Sequence, residues 1–194
     1  MFFSAAILAG GQARRFGGRD KSALPVGAAS ILERQLAALR ALTPHILIVG
    51  GDPSRGQAAG VPTVPDRLAG TGALGGLYTA LIEAPTEQVL VVACDMPFVT
   101  ARFLAYLAAR GAGVEAAVPR DARGPHPLCA SYTRDVAGRL REQLDRGQLR
   151  VVDAVAALNV RYLEPDELSP FDPDGSLLAN VNTPDEYERA RHRT

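Results

Sequence analysis

Ser4-Ala5-Ala6-Ile7-Leu8-Ala9-Gly10-Gly11-Gln12-Ala13-Arg14-Arg15-Phe16-Gly17-Gly18-Arg19-Asp20-Lys21 is the stretch that decides how this chain is read. Its first five residues form an apolar run that reads as a buried strand. A glycine-rich loop follows at once, with two adjacent arginines inside it and a lysine at its end. Glycines let a backbone turn sharply and come close to a ligand. Successive N–H groups in such a loop make a concavity suited to phosphate oxygens, and arginine and lysine bring positive charge to the same place. The pattern implies a polyphosphate, a nucleotide above all, held at the end of the first strand. Two common phosphate motifs are poor fits. Gly10-Gly11-Gln12-Ala13-Arg14 does not supply the G-x-G-x-x-G of a dinucleotide fold, which disfavours a Rossmann oxidoreductase. Lys21 follows Asp20 rather than a glycine and precedes Ser22 too far from Gly11 for a Walker A loop.

Outward from this stretch, strand-like and helix-like segments alternate. Strands are expected at 4–8, 45–49, 61–64, 88–93, 115–118, 127–132 and 160–163. Helices are expected from Ser30, as an N-cap, through Leu42, and at 74–83, 101–109, 133–146, 151–158 and 184–192. The uninterrupted apolar run at Val89-Leu90-Val91-Val92-Ala93 suits a strand covered on both faces, as in a parallel sheet. The fold class that follows is α/β: three layers, doubly wound, with a mostly parallel sheet and helices on both faces. Ligands of such folds sit beyond the carboxyl ends of the strands, where the glycine loop must lie.

Composition bounds the function. The 194 residues fit one domain, 1–194, and 47% hydrophobic residues suffice for a sizeable core. Lysine plus arginine balances aspartate plus glutamate at a formal net charge of +0. No basic field exists to attract nucleic acid, and with no Trp and 6% aromatics there is no stacking platform for a single strand. Neither a signal peptide nor a membrane-spanning run is visible, so a cytoplasmic protein without membrane partners is expected. Cys94 and Cys129 lack zinc spacing and are expected to remain free thiols.

A second constellation follows the strongest strand, in Ala93-Cys94-Asp95-Met96-Pro97. Asp95 leaves the sheet at the same edge as the glycine loop. A carboxylate beside a polyphosphate repels it unless a cation intervenes, and carboxylate plus phosphate oxygens is the usual way of holding Mg²⁺. The competing reading, a helix cap, is better filled by Thr100.

Together these pieces resemble the MobA family of nucleotidyltransferases, which includes the molybdenum cofactor guanylyltransferases. The resemblance runs through Leu8-Ala9-Gly10-Gly11, Arg15-Phe16-Gly17, Asp20-Lys21, Asp66 with Gly72 to Leu77, Cys94-Asp95-Met96-Pro97, His126-Pro127-Leu128 and Asn180-Val181-Asn182-Thr183-Pro184. It implies transfer of GMP from GTP to molybdenum-bearing molybdopterin, with pyrophosphate leaving. It implies that Lys21 and Arg15 hold the triphosphate, that Asp95 holds Mg²⁺, and that Leu8, Ala9, Gly10, Gly11, Gly51 and Asp66 meet GTP. Asp66 is suited to accept from N1–H and N2–H of guanine; a turn role after Pro65 competes. Asn180 and Asn182 are implied on the molybdopterin side, beside an N-cap role before the last helix. His126, Arg120 and Arg123 are weaker candidates there, and Arg19 is another. The family often has an asparagine after the second strand, where this chain has Gly50-Gly51-Asp52, leaving backbone groups or Asp52 to serve the base. A molybdoenzyme or chaperone is the implied recipient of the product. The alternatives are a cytidylyltransferase for the same cofactor or another small phosphate, and a non-catalytic nucleotide-binding carrier.

Overall fold

The computed structural model describes residues 2–10 and 24–191. Strand β1 is Ser4–Leu8, and a small hairpin of β2 (Pro25–Val26) and β3 (Ala29–Ser30) precedes α1 (Ile31–Arg40). Then come β4 (Ile46–Val49), α2 (Pro53–Ala59), β5 (Thr63–Val64), α3 (Gly72–Glu83), β6 (Gln88–Ala93) and α4 (Ala101–Arg110). The second half holds β7 (Ala116–Asp121), β8 (Gly124–Pro125), β9 (Cys129–Thr133), α5 (Ala137–Asp145) and α6 (Val151–Ala156). It closes with β10 (Val160–Leu163), α7 (Pro165–Leu168) and α8 (Pro184–Arg191). Among the described residues no helix is long and apolar enough to cross a membrane.

The main sheet runs in the order β10-β7-β9-β6-β1-β4-β5, with β8 paired to β7. β1 lies parallel to both β4 and β6, β4 to β5, and β10 to β7. β9 runs antiparallel to β6 and β7, and the short β8 antiparallel to β7, so the sheet is mostly parallel with β8 and β9 reversed. The reversal follows from chain economy: β7 turns back through β8 into β9 without a crossover helix, and only an antiparallel neighbour allows that.

Pleating sends alternate residues to opposite faces. Ala5, Ile7, Ile46, Ile48, Leu90 and Val92 meet Leu32, Leu36 and Leu39 of α1 and Phe103, Leu104 and Leu107 of α4. Ala6, Leu8, Leu47, Val49, Val89 and Val91 meet Leu74, Leu77 and Leu81 of α3 and Leu140 and Leu144 of α5. Two covered faces explain why the strands read as unbroken apolar runs. The balance is visible in α3. Its Gly75 and Gly76 each carry an intrinsic helix-propensity penalty of about 1 kcal/mol. Burial of Leu74, Leu77 and Leu81, all at 0% exposure, returns about 1.5–3 kcal/mol apiece and wins.

Ser30 caps α1 as expected, in a full capping box with Glu33, and Thr100 caps α4. The α2 helix and the β2–β3 hairpin are additions to the sequence reading. Asp52 and Pro53 start α2, but only seven residues separate that start from its end, too few for an apolar period to show. The expected strand at 127–132 begins later, at Cys129, because Pro127 lacks the N–H a ladder needs.

Candidate active site

Leu8 pairs with Val49 on one side and Ala93 on the other, so β1, β4 and β6 end level. The ladder continues one residue further. Ala9 N–H donates to Val49 O at 2.9 Å, Gly50 N–H to Val64 O at 2.8 Å and Cys94 N–H to Leu8 O at 3.0 Å. Ala9-Gly10, Gly50-Gly51 and Cys94-Asp95 therefore emerge together at the carboxyl edge.

Two backbones nearly touch there. A Cβ on Gly50 would lie 2.8 Å from Gly10 Cα and 2.9 Å from Gly10 N, and Gly50 has φ of +72°. A Cβ on Gly51 would lie 2.9 Å from that of Ala9. Only glycine combines this conformation with this approach. Asp66 stands over the same spot: its Oδ2 would be 3.0 Å from a Cβ on Gly10 and its Oδ1 3.6 Å from one on Gly76 of α3. Arg67 N–H donates to Thr79 Oγ1 at 3.1 Å, which ties this segment to α3. Asp66 Oδ1 is buried and has no hydrogen-bond partner among the described residues. Burial pushes the Asp66 carboxyl above its ordinary pKa. An unsatisfied buried acceptor beside a side-chain-free gap invites a donor from a ligand.

Across β1 the site is made of side chains. Asp95 lies in the turn after β6, closed by Met96 N–H to Ala93 O at 3.3 Å. Val181 N–H donates to Asp95 O at 2.8 Å, and Asn180 Nδ2 lies 3.4 Å from Asp95 Oδ1. Two residues 85 positions apart thus share one corner. Asn180 also lines a cleft of about 380 Å³ with Met96, His126, Leu128 and Arg150. His126 Nε2 is 3.0 Å from Asp121 Oδ2, and Arg123 donates to the same oxygen at 2.6 Å and to Leu178 O at 3.1 Å. Burial would raise the Asp121 pKa, but the hydrogen bonds from Arg123 and the adjacent His126 imidazole outweigh it and bring the group down to about 2.

The backbone of Asn182 joins the start of the last helix. Glu186 Oε2 accepts from Asn182 N–H at 2.6 Å and Thr183 N–H at 2.9 Å, while Thr183 Oγ1 accepts from Glu186 N–H at 3.2 Å. This is a capping box for α8, as Thr183 and Pro184 foretold. Asp52 caps α2 through Ser54 N–H at 2.9 Å. Arg120 pairs with Glu164 at 3.3 Å and stacks 3.7 Å over the Tyr162 ring. Gly11, Arg15, Arg19 and Lys21 lie outside the described residues. Sequence reasoning missed Asp121, because a hairpin contact has no periodic signature. It also missed Gln35, whose signal was available: a lone polar residue on the apolar face of α1.

A doubly wound sheet with bare glycine backbone and two partly buried carboxylates, Asp66 and Asp95, at its carboxyl edge is the architecture of a nucleotide-handling α/β protein. Residues 5–160 match the MobA-like NTP transferase domain. The chain belongs to that family. It is 34% identical over 185 residues to the probable molybdenum cofactor guanylyltransferase of Pelotomaculum thermopropionicum, covering 95% of this chain and 90% of the relative. It is also 34% identical over 194 residues to the protein so named in Chloroflexus aggregans, covering 97% and 93%. The crystal structure of molybdopterin-guanine dinucleotide biosynthesis protein A from Archaeoglobus fulgidus superposes with a TM-score of 0.82 at 27% identity, covering 97% of each chain.

Proposed function

We propose that this protein transfers GMP from GTP to molybdenum-bearing molybdopterin. A phosphate oxygen of molybdopterin bonds to the α-phosphorus of GTP, the bond from that phosphorus to the bridging oxygen breaks, and pyrophosphate leaves. The observation that carries this reading is the Asp66 carboxylate, seated against Gly10 with one oxygen buried and unpartnered. Guanine presents N1–H and N2–H side by side, and a carboxylate accepts both; cytosine presents no such pair. The names of the relatives point the same way.

The other roles follow from charge and place. Backbone groups of Leu8, Ala9, Gly10, Gly11 and Gly51 line the nucleotide. Arg15 and Lys21 hold the triphosphate and the departing pyrophosphate. Asp95 is the carboxylate at the phosphates, and as a hard oxygen donor it suits a divalent cation, Mg²⁺ in the cell. Phosphate oxygens and water would supply the remaining ligands, the usual way Mg²⁺ is held. When bound, the ion neutralises charge developing on the phosphates. Asn180 and the cleft beside it receive the acceptor, and Asn182 borders it. The attacking phosphate is already anionic, so positioning and electrostatics carry the reaction with little need of a general base. Cys94 and Cys129, which form no disulfide, suit the reducing cytoplasm, where a molybdoenzyme or its chaperone would take the product.

Initial rates with GTP, CTP and ATP, molybdopterin supplied, test the reading. GTP is expected to dominate; a preference for CTP overturns it. Asp95→Ala is expected to bind GTP yet lose about 100-fold or more in pyrophosphate release.

A further inference from the structure

Gln35 is fully buried at 0% exposure, on the face of α1 that otherwise carries Ile31, Leu32, Leu36 and Leu39. A buried amide is costly unless its hydrogens find acceptors. Gln35 Nε2 donates to Ala93 O at 2.8 Å and to Met96 O at 3.0 Å. These are the first and last carbonyls of the four-residue turn that holds Asp95. The neighbouring Arg34 extends the clamp, with Nε on Pro97 O at 3.1 Å and a guanidinium nitrogen on Val26 O at 3.3 Å. From the opposite side Val181 N–H holds the Asp95 carbonyl. α1 itself is anchored by its capping box, so the amide is presented from a fixed element.

We infer that Gln35 is a positioning residue for Asp95: its amide spans the two ends of the turn and sets where the carboxylate meets the metal-bound phosphates. Asparagine is one methylene too short to reach both carbonyls. Glutamate would place a buried carboxylate against two carbonyl oxygens. Methionine fills the volume and donates nothing. The inference rests on the proposed role of Asp95 toward the cation and deepens it.

The test uses Mn²⁺ as probe, its binding to the protein in the presence of GTP followed by electron paramagnetic resonance, beside kcat. Gln35→Met is expected to weaken Mn²⁺ binding and lower kcat by about 10-fold or more, the usual effect of removing a partner that orients a metal ligand. GTP binding in the presence of EDTA should be unchanged. In an Asp95→Asn background the same substitution should alter neither quantity further, because its route of action is gone. A variant that melts earlier yet keeps wild-type Mn²⁺ affinity and kcat reduces Gln35 to a structural residue and overturns the inference. So does an effect that persists undiminished in the Asp95→Asn background. If Gln35→Met does not fold, Gln35→Asn is measured against the same two outcomes. Wild-type Mn²⁺ affinity in Asp95→Asn alone would instead sink the metal role of Asp95, and the inference with it.

Discussion

On the β1–β4–β5 side of the sheet edge, Gly10, Gly50 and Gly51 bring backbone against backbone; on the β6–β9 side, Asp95, Asn180, His126 and Asp121 bring side chain against side chain. The first side is shaped by what is missing. Asp66, the carboxylate set over that backbone, is left with an unused acceptor among the described residues. The second side is a web in which most groups already hold a neighbour. A surface of bare backbone accepts one flat ligand and tolerates no added atom. A web of exchangeable polar groups tolerates conservative change and adjusts in degree. This difference suits a nucleotide of fixed shape on one side and a separate acceptor on the other.

The sharpest way to break the comparison is Gly50→Ala. The new methyl would stand 2.8 Å from Gly10 Cα at a φ of +72°, with backbone on both sides and nothing to yield. A loss of about 3 kcal/mol in stability is expected, with a raised KM for GTP. Denaturant midpoints measure the first part; a shift below about 1 kcal/mol would mean that the two backbones are not so closely fitted.

Asp66→Asn comes next. Loss of a charged acceptor for two guanine donors should lower kcat/KM for GTP by about 10- to 100-fold and narrow the preference over other nucleotides. Stability should move the other way. The folded-state pKa of Asp66 lies above its ordinary value, so the ionised carboxylate opposes folding above that pKa. The variant should be at least as stable as the wild type at pH 7. Its advantage should shrink as pH falls through the raised pKa toward the ordinary one and the wild-type group protonates. Thermal melts across that range decide it, and a variant less stable at neutral pH contradicts the reading.

Asp121→Asn should have the smallest effect. The Asp121 carboxyl sits at about 2 in the fold against an ordinary 3.8. Its stabilisation is present above the ordinary value and is lost as pH falls through the folded one. The substitution should therefore cost about 1–2 kcal/mol at neutral pH, and wild type and variant should converge near the folded value. KM for the acceptor should rise while KM for GTP stays put. Equal shifts in both would erase the distinction between the two sides.

Much of this was legible without coordinates. Ser4–Leu8 and Gln88–Ala93 were found to the residue, because a strand covered on both faces leaves an unbroken apolar run. Asp95 was singled out because it follows a strand that must end at the ligand edge, and Asp66 through the family resemblance; both lie at that edge in the fold. The short α2 and the β2–β3 hairpin were not, since elements of so few residues carry no period. The role of Asn182 was read both ways, and its backbone lies in the α8 capping box.

The amino-acid order by itself determined the layers, the edge and the chemical types gathered there, because periodicity, caps and turn residues act over short distances along the chain. Only the tertiary structure decided which of those groups meet. The 3.4 Å approach of Asn180 to Asp95, the Gly10–Gly50 crossing and the reach of Gln35 across the Asp95 turn depend on register between strands and on helix docking. Those are set by the packing of the whole core, and no local stretch of sequence contains them.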